Sequence, residues 1–288
     1  MDHADGQILE NAGTLWIVAT PIGNLGDVSD RARDILSRVP IIAAEDTRTS
    51  QKLVPARKAP VRWFALHDHN EASAVERLIK HLEQGQDIAL VSDAGTPLIS
   101  DPGFRLVSAA HDHGIRVSPV PGPSAAIAAL SAAGLATDRF SFEGFLPAKR
   151  SARQQRLQAL ADRTETHIFY VPARDLIKVL EDLQHVFGGQ RLAAVAREIS
   201  KQFETIRRGP VDGLLDWVQA DSDQLRGECV VLTAGADNSN SMNLIQPRAL
   251  AEQLAAELPP ARAARILTRL SGMPRKQAFE LIEQLRQS

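Results

Sequence analysis

The chain is poor in cysteine, with a single one, Cys229, among 288 residues. One thiol makes no internal disulfide, so the fold is held without staples. The apolar run Cys229-Val230-Val231-Leu232 reads as a strand that buries an inert thiol. Long apolar runs are missing too: no stretch of eighteen apolar residues occurs, which speaks against a membrane-spanning helix. Charge of one sign is not in surplus. With 33 Lys and Arg against 35 Asp and Glu, the net charge is −2. Attraction to nucleic acid must therefore come from local patches. The opening MDHADGQILENAG is acidic and lacks an apolar core, so no secretory signal is expected and the location expected is cytoplasmic. Thr20-Pro21-Ile22-Gly23-Asn24, at the site of a dinucleotide-binding loop, holds one glycine, which sets aside a standard nicotinamide site. There is no phosphate-binding P-loop. A nucleophile elbow is also missing, which speaks against hydrolysis through a covalent intermediate.

What is present suits two medium domains and an appendage, with 44% hydrophobic and 24% charged residues. In the first half, apolar strand-like runs at 14–19, 39–44, 61–66, 87–92 and 115–120 alternate with helical stretches. That predicts a mostly parallel sheet with helices on both faces. Pro121-Gly122-Pro123 is rigid punctuation, and Ser124 is placed to cap an alanine-rich helix over 125–133. The second half reads as a mixed sheet, with strands at 140–145, 167–171, 192–196, 204–209 and 228–233. A polar linker and three helices close the chain. The expected division is a tail at 1–12, α/β domains at 13–121 and 122–236, a linker at 237–243 and a helical appendage at 244–288. The appendage carries seven Lys and Arg against four Glu.

The stretch Val91–Gly103, VSDAGTPLISDPG, stands out. It follows a buried strand and feeds a helix, with Asp101 placed as its N-cap, and open α/β sheets bind ligands at that position. Gly95 and Gly103 let backbone amides approach a ligand, and Asp93 and Asp101 can accept hydrogen bonds. The bland alternative is a Gly/Pro-rich connection. Three more polar clusters end strands: Thr20–Asn24, Glu45-Asp46-Thr47-Arg48 and His67-Asp68-His69-Asn70. In a parallel sheet these share one edge, so a common cleft is expected. Glu45 and Arg48 equally suit a structural ion pair. His67 and His69 share a strand face but lack a third ligand, so no metal site is expected. In the second half Arg197-Glu198-Ile199-Ser200-Lys201 is a charged constellation, or simply a solvated loop. Pro147–Arg163 holds five basic residues (Lys149, Arg150, Arg153, Arg156, Arg163) and one acid, Asp162. It is either an exposed helix face or a polyphosphate contact.

The segments VATPIGNLGD, AAEDTR, SDAGTPLISDPG, PVPGPSAAIAALSAAGL, FEGFLPAK and ARE-x-S-K-x-FETI-x-RG, in this order, resemble the tetrapyrrole-methylase-like family of S-adenosylmethionine-dependent enzymes, over about residues 13–288. The resemblance implies two α/β domains of tetrapyrrole methylase type with a small C-terminal helical appendage. It implies S-adenosylmethionine in the cleft between the domains, and a homodimer. The activity it implies is methylation of a cytidine ribose 2′-hydroxyl in the decoding region of small-subunit ribosomal RNA, naked or in the assembled subunit. By position, Asp93, Ala94, Gly95 and Thr96 would hold the donor's amino-acid and ribose parts. Pro21, Ile22 and Gly23 would border it, and Ser124, Ala125 and Tyr170 complete the set. Direct in-line transfer needs positioning and a base or cation, for which Glu45, Asp46, His69 and Lys201 are candidates. Arg48, Lys149, Arg150 and Arg153 are candidates for phosphate contacts. The chain departs from the family pattern at Val171–Asp175, which leaves Arg174 to take over any contact made there. Two other readings stay open: a methyltransferase of small precorrin-like tetrapyrroles, and a non-catalytic RNA-binding assembly protein on the same scaffold.

Overall fold

The computed structural model describes residues 9, 11–52, 54, 60–67, 71–237, 247–271 and 273–287. Two apolar tetrapeptides, β2 (Ile41–Ala44) and β4 (Ile88–Val91), are buried at every position. Strands covered on both faces read this way. With β1 (Leu15–Val18), β3 (Arg62–Ala65) and β5 (Val117–Val120) they form a wholly parallel sheet in the order β3-β2-β4-β1-β5. The crossovers are α1 (Asp30–Arg38), α2 (Thr47–Gln51), α3 (Glu71–Glu83) and α4 (Phe104–Asp112). Ser29 caps α1, accepting from the Ala32 amide at 3.1 Å. The chain leaves β1 toward β2 on one side of the sheet and leaves β4 toward β5 on the other. The loops after these neighbouring strands therefore diverge, which opens a crevice at their C-terminal ends.

The second sheet is mixed, as expected. It runs β6 (Phe140–Phe145), β7 (Thr166–Pro172), β10 (Glu228–Thr233), β8 (Leu192–Arg197), β9 (Thr205–Pro210), with only β6 and β7 parallel. Because β10 runs against both β7 and β8, its first residues lie beside their last: Glu228 pairs with Pro172 and Cys229 with Arg197. One sheet edge thus gathers residues 170–172, 197–201 and 227–230. Helix α5 (Ala125–Ala132) packs small side chains, Ala126 and Ala129, on one face against Ile168, Ala194 and Val230. On the other face α6 (Arg150–Gln158), α7 (Leu176–Phe187) and α8 (Val211–Ala220) supply Leu157, Leu180, Leu183 and Leu214 to a second core.

Helices α9 (Pro247–Glu257), α10 (Pro260–Ser271) and α11 (Arg275–Gln287) pack together around Ala251, Ala263, Leu267, Ala278 and Ile282. Among the described residues no helix is long and apolar enough to cross a membrane. Most of the expected tail (1–8 and 10) and of the expected linker (238–243) lies outside the described residues.

Two capping expectations are corrected. Gly103, not Asp101, is the N-cap of α4, with φ of 124°, and its amide donates to Glu71 Oε1 at 3.2 Å. Ser124 occupies the N-cap of α5 but its side chain makes no capping bond there.

Candidate active site

The crevice between β1 and β4 is closed at its base by a two-way bridge. The Thr20 amide donates to the Gly95 carbonyl at 2.8 Å, and the Gly95 amide returns to Thr20 at 3.1 Å. Gly95 sits at φ 82°, and a Cβ there would stand 3.3 Å from Ile22 Cγ2. Only glycine lets the two loops approach this closely. The space above is a cleft of about 470 Å³, in the range of small-molecule sites. One wall comes from the loop after β4, with Asp93, Ala94, Thr96, Ser100 and Asp101. The facing wall is the gathered edge of the second sheet, with Tyr170, Arg174, Glu198, Lys201, Glu228 and Val230, and Ser124–Ala125 supply a third side.

Strain marks both loops. Among the described residues, the four non-glycine positions with positive φ are Leu98 (72°), Ser100 (73°), Glu198 (50°) and Ser200 (66°). All four fall in the loops after β4 and β8. Such conformations cost roughly 1–3 kcal/mol each and persist where the surroundings over-determine them, which happens preferentially at ligand sites. The two halves also touch across the cleft. The Ser200 hydroxyl bonds to the Asp27 carboxylate, and the Lys201 stem lies against Gly23 where a Cβ would overlap it.

The polar groups differ in how far they are committed. Asp93 Oδ1 accepts from the Asp46 amide at 3.3 Å and lies 3.5 Å from Ser50 Oγ, so it is braced from the end of β2. Thr96 Oγ1 donates to the Pro123 carbonyl at 3.0 Å. Lys201 Nζ stands 3.0 Å from Glu198 Oε1 and 2.9 Å from Glu228 Oε2. Burial works against its charge, and the hydrogen bonds of Glu228 and Glu198 outweigh burial, so its pKa is raised. Lys201 is accordingly a fixed cation at neutral pH and not a base. Partial burial, against a hydrogen bond from Ser92 and with Asp93 nearby, raises the Asp101 carboxyl above the usual carboxylate range. Burial likewise raises the Tyr170 phenol, against a hydrogen bond from the Ala126 backbone. Phe142 and Phe145 stack edge-on against its ring at 4.9 and 5.5 Å. Cys229 is 3% exposed, and burial pushes its thiol up to about 12, so the inert thiol is where the sequence put it.

Of the residues named from sequence, the cleft brings together Ile22, Asp93, Ala94, Gly95, Thr96, Ser124, Ala125, Tyr170 and Lys201. Pro21 and Gly23 do not line it: Pro21 is buried beneath, and Gly23 seats the Lys201 stem. Of the four clusters expected to share a cleft, Thr20–Asn24 and Asp93–Asp101 contribute lining residues among those described, Glu45-Asp46-Thr47-Arg48 contributes none, and residues 68–70 of the fourth lie outside the described residues. Glu45, Asp46 and Arg48 follow β2, on the far side of β4 from β1, and Asp46 caps α2 by accepting from the Arg48 amide. Arg48 is 91% exposed and leans on Asp46 at 3.7 Å. His69 lies outside the described residues. The basic segment divides as well. Lys149 and Arg150 are exposed, whereas Arg153 is 6% exposed with its Nε on Asp182 at 2.6 Å. Its Nη1 donates to the Pro147 and Ala148 carbonyls. This corrects the phosphate-contact expectation for Arg153, because its donors point into the fold. Glu198 belongs to the charged constellation Arg197–Lys201 that the sequence singled out, with a solvated loop as its alternative, and it lines the cleft. Sequence reasoning missed Glu228 and Phe145 as cleft residues, and no local signal announces them, since they arrive through the antiparallel insertion of β10 and along β6 with its bulge.

The pattern of the family described as Tetrapyrrole (Corrin/Porphyrin) Methylases matches residues 14–215. A Pseudomonas aeruginosa protein named "Ribosomal RNA small subunit methyltransferase I" is 51% identical over 272 residues, 94% of this chain and 96% of that protein. The protein of the same name from Escherichia coli O157:H7 is 46% identical, covering 93% of this chain and 94% of its own length. Among solved structures, a cobalt precorrin-4 methyltransferase aligns with a TM-score of 0.57 at 17% identity, covering 77% of this chain and 94% of its own. A uroporphyrin-III C-methyltransferase from Thermus thermophilus, complexed with S-adenosylhomocysteine, aligns with a TM-score of 0.52 at 14% identity, covering 77% and 97%. The last two share the fold. Sequence, topology and cleft agree, and the chain belongs to the tetrapyrrole methylases, within the group of proteins named ribosomal RNA small subunit methyltransferase I.

Proposed function

We propose that this chain transfers a methyl group from S-adenosylmethionine to a cytidine ribose 2′-hydroxyl in the decoding region of small-subunit ribosomal RNA, by direct in-line displacement. The observation that carries the reading is near-full-length identity of about half with proteins named for ribosomal RNA methylation. The cleft adds chemical fit. The donor combines a cation, a carboxylate, hydroxyls and a flat apolar ring. The cleft offers the Asp93 carboxylate, backbone close to the surface at Gly95, the Thr96 hydroxyl and small apolar walls at Ala94, Ala125 and Ala196. At Gly95 bare backbone lines the cleft, and an added Cβ would meet Ile22 Cγ2 at 3.3 Å and the Pro123 carbonyl at 3.7 Å.

Bound there, the donor supplies an electrophilic methyl group on a sulfonium sulfur. The chain's own part is positioning. Asp93, braced by Asp46 and Ser50, presents a carboxylate for hydroxyl or ammonium groups. Tyr170, Ile199 and Val230 line the wall from the second sheet, and Ala125 lines the side beside it. Lys201 joins the walls by pairing with Glu198 and Glu228 while lying on Gly23, which narrows the path for water. In this reading Arg48, Lys149 and Arg150, all exposed, meet RNA phosphates, and the helices from 247 onward widen the platform. The domain limits at 121/122 and 236/237, a homodimer and a cytoplasmic location belong to the same proposal.

The test is transfer of labelled methyl from S-adenosylmethionine by wild type and Asp93→Ala. The acceptors are small ribosomal subunits from cells lacking the enzyme, protein-free ribosomal RNA and a tetrapyrrole acid. Label on one cytidine ribose, lost with Asp93→Ala, is the expected result. Label in the tetrapyrrole alone overturns the substrate. Absent label together with calorimetrically undetectable donor binding overturns the activity.

A further inference from the structure

We propose that Phe145 is the platform on which the base of the acceptor nucleotide stacks. The inference rests on the reading above, in which the acceptor is a ribose in RNA, and it names the part of the cleft that receives that nucleotide.

An exposed phenylalanine forgoes the stabilisation of burial, and β6 leaves three in that state: Phe140 at 45%, Phe142 at 36% and Phe145 at 60%. Of these, Phe145 lines the cleft. A regular strand would not bring it there. Residues three apart on a strand point to opposite faces, so Phe145 would turn away from the face that Phe142 occupies. Instead β6 carries a bulge between Phe142 and Gly144, with Gly144 at φ 65°. The bulge puts Phe142 beside Ile168 and Phe145 beside Tyr170, two residues of one face of β7. Both rings then reach Tyr170. Bulges next to active sites re-aim side chains in this way. This one also lies against the loop after β4, since a Cβ at Gly144 would stand 3.5 Å from Ser100 Oγ.

The re-aimed ring is braced but not covered. Tyr170 meets it edge-on, with 64° between the planes, which fixes Phe145 without stacking on it. Its place argues for the acceptor over the donor. The walls that suit the donor run from Asp93–Thr96 and Ala125 to Ala196 on β8, and a small ligand is largely enclosed by such walls. Phe145 stands on the end strand of the second sheet, with β7 and β10 between it and β8. An exposed ring at that edge meets what arrives from solvent. RNA bases that leave their helix stack on aromatic side chains, and every base has a face to offer.

The following residues agree with this. The basic segment 147–163 has no aromatic residue of its own. Phe145 precedes it directly, and the exposed Lys149 and Arg150 come four and five residues later. A stacking ring followed by cations for the backbone is the combination that unpaired nucleic acid requires. Holding the base fixes the ribose attached to it, and so sets where the 2′-hydroxyl meets the donor's methyl group.

The experiment compares wild type with Phe145→Ala, Phe145→Leu and Phe145→Trp in methyl transfer to small ribosomal subunits. Donor affinity is measured in parallel by calorimetry, and folding by thermal melting. Wild type bound to the subunits with S-adenosylhomocysteine is also irradiated with short-wavelength ultraviolet light, and crosslinked peptides are mapped by mass spectrometry. The expected result has four parts. Phe145→Ala lowers kcat/KM for the subunits by about fivefold to 150-fold, the range of one lost base stack. S-adenosylmethionine affinity stays within about threefold. Phe145→Trp recovers most of the rate, and Phe145→Leu, which fills space without an aromatic face, does not. The peptide holding Phe145 crosslinks to the nucleotide that is methylated. Four outcomes overturn the proposal: kcat/KM of Phe145→Ala within about twofold of wild type, a loss matched by weakened donor binding, Phe145→Leu as active as Phe145→Trp, or a crosslink from Phe145 to a different nucleotide only. Wild type that labels no ribose in RNA overturns the reading of function instead, and the role of Phe145 with it. If the variants do not fold, the wild-type crosslink decides alone.

Discussion

Removing Asp182 tests whether the basic segment is partly architecture. The side chain is wholly buried on α7 and accepts from Arg153 Nε at 2.6 Å, Gln154 Nε2 at 2.7 Å and Arg150 Nε at 3.1 Å. Arg150 is 67% exposed, so its share is at most about 1 kcal/mol. Arg153, with 7% of its side chain exposed, is the partner that matters. Asp182→Ala strands that guanidinium without a counter-charge, at a cost of about 3–5 kcal/mol. For a two-domain chain of this size that corresponds to a melting temperature lower by about 10 °C. The double variant Arg153→Met with Asp182→Leu is expected to recover most of the loss, since apolar groups of similar volume replace buried pairs at little cost. The pH dependence has a definite sign. Burial disfavours the carboxylate, and the bonds from Gln154, Arg153 and Arg150 outweigh it, so its pKa lies below the usual value. A group depressed in the folded state contributes fully above its unfolded pKa of about 3.9 and loses that contribution as pH falls through the folded value. Urea denaturation followed by circular dichroism at pH 7, 5 and 4 measures the gap between wild type and Asp182→Ala, which should begin to narrow only at the lowest pH. A single variant within about 1 kcal/mol of wild type refutes the reasoning, as does a double variant no more stable than the single.

Three further outcomes are expected. Gly95→Ala forces a side chain into a φ of 82° and against Ile22, so calorimetry should find donor affinity down by about tenfold or more, with the melting temperature lowered by a few degrees. His167 is wholly buried, with its Nδ1 2.8 Å from Ser141 Oγ, and sits opposite Thr233 on the neighbouring strand. Burial depresses its pKa against the pull of Glu143 and Glu165. Its stability contribution is full above about 6.5, the unfolded value, and falls as pH drops below that. Wild type should therefore lose more stability than His167→Gln between pH 7.5 and pH 5.5 in chemical denaturation. Cys229, pushed up to about 12, should stay unreactive toward a thiol reagent at pH 8 until the protein is denatured.

The sequence by itself determined the elements and their order. Period-two and all-apolar runs separated by capped amphipathic helices leave few alternatives, so β1 to β5, the mixed second sheet and the three terminal helices were legible. So was the weight of residues 93–101, because glycines and carboxylates at a strand end state their chemistry locally. Tertiary structure alone decided which strand ends meet. The order β3-β2-β4-β1-β5 joins Thr20 to Gly95 and leaves Glu45, Asp46 and Arg48 on the far side of β4. It also decided which charges are free. Arg153 looks like its neighbours in sequence until Asp182, 29 residues away, draws it inside. Asp101 looks like a helix cap until Gly103 and Glu71, on another helix, relieve it. Local propensity fixes what a residue can do. Its partners, set by topology over long separations, fix what it is left to do.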